Sequence, residues 1–175
     1  MKRIALSFLS FIAGLLLLPA VIYCYLVFGK PPVATTDATF PFEAKITHMV
    51  MKSRIKREMP TGSPVVASDN NLTAGAEIYK NKCVQCHGTA NESSPLARNM
   101  FPRIPQLWAK HKNGVVGVSD DPVGETYWKI KNGIRLSGMP AYGTVLSDPQ
   151  LWQVSLLLSK ADKPLPIEAS KLLLR

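Results

Sequence analysis

The sequence is poor in cysteine and histidine, with three of each among 175 residues. Three cysteines are too few for the disulfide framework of a small secreted domain. A structural zinc site needs about four Cys or His ligands at set spacing, and His48 and His111 stand alone and far apart. The sequence therefore disfavours both a disulfide scaffold and a structural zinc site.

Charged residues are also scarce, at 19% of the chain, and none occurs from Ile4 to Phe28. As a helix this run would be about 37 Å long, enough to cross a hydrocarbon core of about 30 Å. A cleavable signal usually has a shorter apolar region followed closely by a small-x-small site. Here bulky Tyr23 and Tyr25 continue the run, and the nearest such site, residues 36–38, is distant. We therefore expect an uncleaved membrane anchor at residues 1–29, with a cleaved signal as the alternative.

The charges before this run predict its orientation. Lys2 and Arg3 should stay on the cytoplasmic side, so that everything after Phe28 is exported. Cys24 lies inside the apolar run and is interpreted as a packed thiol. Only Cys83 and Cys86 are then placed to act together.

Residues 30–71 are predicted to be a linker that contains a basic amphipathic helix at 42–59. Apolar side chains recur there at helical spacing, at Phe40, Ala44, Met51, Ile55 and Met59. Basic side chains fill the remaining surface, at Lys45, Lys52, Arg54, Lys56 and Arg57. Such a helix could contact anionic lipid or a partner, or pack on its own domain, and we favour the packed arrangement.

The compact domain is expected at residues 72–162, followed by a peripheral tail at 163–175. Thr73 is a plausible N-cap for a helix that leads into the cysteine pair. Further helices are predicted at 123–131 and at 148–160. The segments between them hold too many prolines and glycines for long helices or a strand ladder. The predicted fold class is therefore all-α.

The segment "KNKCVQCHGTA", residues 80–90, contains the pattern Cys-x-x-Cys-His. This pattern is typical of covalent haem attachment: two thiols three residues apart reach the two vinyl groups of one haem, and the adjacent histidine ligates the iron. A thioredoxin-like redox pair would require a βαβ pattern, which this sequence lacks. We therefore predict one covalently bound haem c on Cys83, Cys86 and His87.

Three side chains could ligate the other face of the iron: Met100, His111 and Met139. Met139 stands in "NGIRLSGMPAYG", residues 132–143, where glycines and Pro140 favour a stiff loop. The segment of Met100 is expected to wrap the histidine side of the haem, and His111 lies in an exposed-looking setting. We therefore prefer Met139, and the alternative for this residue is a methionine that fills a gap in the core.

These motifs resemble the class I cytochrome c family. The order of helix, CxxCH, proline loop, helix, "GMP" loop and C-terminal helix is similar to that fold, with one haem at its centre. "YWKIKNGIRLSGMPAYG" followed by "LSDPQLWQV" resembles the membrane-anchored, single-haem periplasmic cytochromes of bacterial respiratory or alcohol-oxidising systems. The resemblance covers roughly residues 40–162.

The resemblance implies a role for each site residue. Cys83 and Cys86 would form thioethers with the haem, and His87 Nε2 and Met139 Sδ would be the axial ligands. The Pro105 carbonyl, in "PQL", would accept the hydrogen bond of the proximal histidine and so fix its tautomer.

Several packing residues are also implied. Gly75 and Tyr79 match the small and aromatic residues at the crossing of the first and last helices, with Trp152 as their partner. Trp128 would belong to the haem pocket or the core. Tyr142 is a departure, since relatives often carry Trp at this position.

The function implied by the resemblance is electron transfer rather than catalysis. The protein would be a shuttle or a subunit of a larger redox complex, held at the bacterial inner membrane with its haem domain in the periplasm. Its partners would be a redox donor and acceptor, such as a dehydrogenase, a quinol-oxidising complex or a terminal oxidase, and not nucleic acid. The candidates for a positively charged rim at which redox partners dock (the docking rim) are Lys80, Lys82 and Arg135. The alternative is a haem-based sensor or a peroxidase-like enzyme with a labile Met139.

Overall fold

The structure is a computed structural model that describes residues 2–111 and 113–174. The chain divides into two compact units, Met1–Pro41 and Phe42–Arg175. In the first unit, helix α1 runs through Lys2–Phe28. Its apolar part, Ser7–Phe28, has 22 residues and a length of about 33 Å. By length and composition, this helix could span a membrane.

The second unit is helical. Among the described residues its helices are α2 (Glu43–Glu58), α3 (Asp69–Lys82), α4 (Val84–His87), α5 (Val123–Asn132), α6 (Asp148–Leu158) and α7 (Ile167–Leu173), with a 3₁₀ turn at Pro95–Arg98. The described residues contain no strand, only isolated bridges at Lys110–Val116 and Ile134–Met139. The all-α prediction is confirmed, and the arrangement is consistent with a class I cytochrome c fold.

Local capping explains where these helices begin. The Ser147 side chain and Gln150 form a capping box at the start of α6, in which the Ser147 amide donates to Gln150 Oε1 at 2.9 Å. The prediction that Thr73 is the N-cap of α3 is wrong. Ser68 caps this helix, because its hydroxyl accepts from the Asn71 amide.

Helices α3 and α6 cross at Gly75. A Cβ atom on this residue would lie only 2.4 Å from the Gln153 carbonyl oxygen, so the two backbones approach as closely as glycine allows. The aromatic rings pack differently from the expectation. Trp152 stacks on Tyr127 of α5, with ring centroids 4.0 Å apart, and Tyr79 meets the edge of Trp108 at 5.4 Å.

The expectation of a peripheral tail is wrong, because residues 167–173 form helix α7, which packs on α3. Ala169 and Leu173 are completely or almost completely buried in the core. The Leu173 carbonyl accepts a hydrogen bond from the Ala90 amide at 2.9 Å. The tail therefore completes the core and holds the loop that follows α4.

Helix α2 packs against α5 through its C-terminal half, as the sequence favoured. Ile55 is 1% exposed. The indole N–H of Trp128 donates to Glu58 at 3.0 Å, and the Arg54 guanidinium lies 5.8 Å from the centre of the same ring. Trp128 is thus a half-buried contact for α2 and not a residue of the buried core.

Candidate haem-binding site

The two cysteines and the histidine lie on one short turn after α3. The amides of Cys86 and His87 donate to the Cys83 carbonyl at 3.1 and 2.8 Å. Gly88 ends the turn with a φ of 81°, and a Cβ atom there would lie 2.1 Å from the Glu92 carbonyl oxygen. The backbone therefore holds all three side chains within a single helical turn.

Both thiols are free and partly buried. Burial raises the pKa of Cys83 to about 12, and the neighbouring Cys86 adds to the rise. Reactive cysteines instead need a lowered pKa, because the thiolate is the nucleophile. In residues 2–111 and 113–174, no group of three or more His, Cys, Asp and Glu side chains is placed to hold a metal ion. The raised pKa of Cys83 is the opposite of what a thioredoxin-like redox pair needs.

His87 is held in one orientation by the proline loop. Its Nδ1–H donates to the Pro105 carbonyl at 2.8 Å, the hydrogen bond that the resemblance implied. Burial lowers the pKa of His87, and the Pro105 carbonyl partly opposes this shift. The imidazole is therefore neutral, and its Nε2 is left as the atom with a free lone pair.

Met139 lies on a tightly hydrogen-bonded loop after α5. The Ile134 amide donates to the Met139 carbonyl at 3.2 Å. The Ser137 hydroxyl donates to the Ile134 carbonyl at 2.7 Å and accepts from the Met139 amide at 3.2 Å. Gly133 and Gly138 take positive φ values of 66° and 77°, which glycine adopts at no steric cost. The loop is thus fixed by its own bonds, with Met139 half-buried against the core.

Tyr142 joins the loop that carries Met139, residues 132–143 (the methionine loop), to the turn of residues 83–87 (the cysteine turn). Its hydroxyl donates to the Lys82 carbonyl at 2.9 Å. Burial and the nearby Cys83 and Cys86 raise the pKa of Tyr142. The structure therefore brings together two motifs that lie more than fifty residues apart in the sequence. Sequence reasoning noted this tyrosine only as a departure from the family pattern.

The other two ligand candidates have different surroundings. His111 Nε2–H donates to the Gly117 carbonyl at 3.0 Å, within its own loop. Met100 lies beside the methionine loop. A Cβ atom built on Gly138 would be 2.5 Å from the terminal methyl group of Met100. Met100 therefore lies near the methionine loop, whereas Pro105 of the same segment binds His87, and the expectation that this segment wraps the histidine side of the haem stays a prediction.

The donor set of the turn and the loop fits a covalently attached haem. It offers two free thiols, an imidazole with a free Nε2, and a thioether on a loop hydrogen-bonded to the same turn. The family model described as "Cytochrome C oxidase, cbb3-type, subunit III" matches residues 70–156. The chain contains a c-type cytochrome domain. No curated protein and no solved structure is significantly similar to the chain.

Two further contacts in the cytochrome domain support the cysteine turn, and sequence reasoning missed both. The Tyr79 hydroxyl donates to the Gly88 carbonyl at 2.9 Å, and the Ser94 hydroxyl donates to the Gln85 carbonyl at 2.5 Å. No sequence signal marks either bond, because each joins residues nine positions apart, which is beyond the spacing of helical neighbours.

The residues predicted for the docking rim lie at the surface of the cytochrome domain. Lys82 and Arg135 are exposed, and Lys80 is half-exposed. Lys82 is also the residue whose carbonyl accepts from Tyr142, so it adjoins the methionine loop that carries Arg135. A role for these cations in docking stays a prediction.

Proposed function

We propose that this chain is a membrane-tethered electron-transfer protein. It carries one electron on a single haem c between respiratory-chain components, as a shuttle or as a subunit of a larger redox complex. Cys83 and Cys86 bind the haem through thioethers, and His87 and Met139 are the axial ligands. The hydrogen bond from His87 to Pro105 carries the proposal, because it leaves Nε2 free beside two unpaired thiols.

When bound, a haem with imidazole and thioether ligands supplies a one-electron iron couple whose reduced state the soft sulfur favours. Each residue of the chain then has a physical task. Pro105 holds the His87 ring in one tautomer. The stiff loop keeps Met139 in place, so that small molecules are excluded from the position that this side chain fills. An electron carrier needs such a closed site, whereas an enzyme needs an open one.

The proposed organisation has an anchor at 1–29, a linker with a basic helix at 30–71, the haem domain at 72–162 and a C-terminal segment at 163–175 that completes the core of this domain. The length and composition of α1 and the positions of Lys2 and Arg3 support insertion in the bacterial inner membrane with a periplasmic haem domain. Candidate partners are a dehydrogenase, a quinol-oxidising complex or a terminal oxidase. The description of the matched family makes an oxidase a concrete candidate among them.

The test is the visible spectrum of the purified full-length protein, reduced, before and after addition of carbon monoxide. We expect a low-spin spectrum that carbon monoxide does not change, because His87 and Met139 fill both axial positions. Met139→Ala should keep its covalent haem, admit carbon monoxide and have a lower reduction potential. Met100→Ala is the matched control, since it removes a neighbouring thioether and should leave the spectrum unchanged.

Two results would contradict the proposal. Prompt carbon monoxide binding by the unaltered protein would indicate a labile distal side, as in a sensor or a peroxidase-like enzyme. Opening of the iron by Met100→Ala, and not by Met139→Ala, would overturn the ligand assignment. The attachment is checked separately, because Cys83→Ala with Cys86→Ala should abolish haem staining after denaturing electrophoresis.

A further inference from the structure

Helix α2 has two apolar faces on opposite sides. One face contains Ile55, which is 1% exposed against the domain. The other contains Ile46, which lies nine positions or about 2.5 helical turns before Ile55 and therefore points the opposite way. Four large apolar side chains follow this second face at helical spacing and are exposed by 71, 53, 63 and 58% of their surface, namely Phe42, Ile46, Met49 and Val50. We call these four residues the outer face of α2.

The domain itself does not cover the outer face. The contacts that fix α2 come from the opposite side through Ile55 and from one flank through Trp128, which binds Glu58 and lies near Arg54. The pKa of Glu58 is lowered by its hydrogen bonds from Arg54 and Trp128, so this carboxylate is ionised and well paired. Since the inner contacts are already satisfied, packing on the domain gives no reason for a second apolar face.

Lysines border the outer face along one edge. Lys45, Lys52 and Lys56 recur at intervals of seven and four residues, so they form a row on one side of the helix. All three are exposed, and among the described residues none of them forms an ion pair. An apolar strip with a row of uncompensated cations beside it is the pattern of a helix that lies in a membrane interface.

We propose that the outer face of α2 lies on an anionic phospholipid surface. Its apolar side chains would enter the region between headgroups and acyl chains, and the row of lysines would contact the negative headgroups. This inference rests on the tether in the proposed function. The candidate membrane helix ends at Phe28, and residues 29–41 can reach at most about 45 Å. A lipid surface would therefore always be within reach of α2.

Charge and connectivity favour lipid over a protein as the occupant. A lipid surface accommodates a strip of any outline and attracts each lysine, by about fivefold in affinity per residue near the surface. Docking would also restrict the orientation of the haem domain, because α2 is fixed to α5 through Trp128. Partners at the same membrane would then meet the domain in few orientations.

The proposal is tested by thiol accessibility in full-length holoprotein reconstituted in vesicles. A Cys24→Ser background removes the native unattached thiol. Ile46→Cys reports the outer face, and Ala44→Cys is the matched control, being exposed on the opposite side of the same helix. We compare rates of labelling by a water-soluble maleimide polymer in pure phosphatidylcholine and in vesicles that are about one-third phosphatidylglycerol.

We expect Ile46→Cys to react about tenfold more slowly than Ala44→Cys in the anionic vesicles only. High salt should remove this protection. Lys52→Gln with Lys56→Gln should also remove it, since about 25-fold in surface affinity is lost. As a control, Lys110→Gln with Lys163→Gln removes the same charge outside α2 and should leave the protection of Ile46→Cys intact.

Equal labelling of both cysteines in anionic vesicles would overturn the proposal, as would protection that appears only when a membrane extract containing partner proteins is added. Failure of the proposed function would be seen separately. Release of the protein from vesicles by a high-salt wash would refute the tether. Labelling of the Cys24→Ser parent would show that Cys83 and Cys86 carry no haem.

Discussion

Replacement of Gly75 by alanine should destabilise the protein, although alanine favours a helix. The added Cβ would lie 2.4 Å from the Gln153 carbonyl oxygen and 3.2 Å from the Leu157 Cβ. Ordinary contacts of this kind begin near 3.4 Å, so α3 and α6 would have to separate by about 1 Å. Because the obstacle is backbone, it cannot rotate away as a side chain could.

The size of the effect follows from two opposing contributions. Overpacking of a core costs about 1–3 kcal/mol, and a clash with helix backbone belongs at the upper end. The higher helix propensity of alanine offsets about 1 kcal/mol of this loss in the free energy of unfolding. The net loss is about 2 kcal/mol, or a fall in Tm of about 8 °C for a domain of this size.

The assay is thermal unfolding of the detergent-solubilised holoprotein, followed by circular dichroism in the far ultraviolet. Gly62→Ala is the control, because a Cβ atom added at Gly62 would meet no other atom within 4 Å, and the Tm of this variant should change little. A Gly75→Ala protein as stable as the unaltered one would refute the close crossing of α3 and α6 at this residue.

Three further substitutions test other contacts. Leu173→Ala should lower the free energy of unfolding by about 2–5 kcal/mol, because this side chain is only 2% exposed. Leu174 is 53% exposed and should tolerate alanine. Denaturant titration of both variants checks this difference. Ser147→Ala removes the capping box of α6 and should cost about 1 kcal/mol in the same titration. Trp128→Phe removes the hydrogen bond to Glu58, so hydrogen exchange of the α2 amides should accelerate. The visible spectrum should stay the same. If hydrogen exchange does not accelerate, Ile55 alone holds α2 on the domain.

The parts that could be predicted from the sequence have strong local signals. The uncharged run of α1 and the Ser-Asp-Pro start of α6 each determine structure through neighbouring residues. The start of α3 has two local signals that compete. Ser68 and Thr73 are both capable N-caps, and the polar residues between them resemble a linker until the hydrogen bond from Asn71 to Ser68 is seen.

The remaining features depend on contacts between distant segments. Helix α7 has only seven residues, too few to show a clear period, and it is stabilised by packing of Leu173 against the core. Met100 lies in a loop without periodicity, so the side of the site on which it lies depends on the path of the whole segment. The bond from Tyr142 to Lys82 is of the same kind, since no pattern within either motif predicts it.

The packing of α3 on α6 and α7 also determines how the domain must fold. Sixty-five residues lie between the end of α3 at Lys82 and the start of α6 at Asp148, so the core forms only after a long loop has closed. Folding dominated by such non-local contacts is slow compared with the formation of single helices. We therefore expect the cysteine turn, which belongs to this loop, to stay exposed to solvent and to other molecules until the loop has closed.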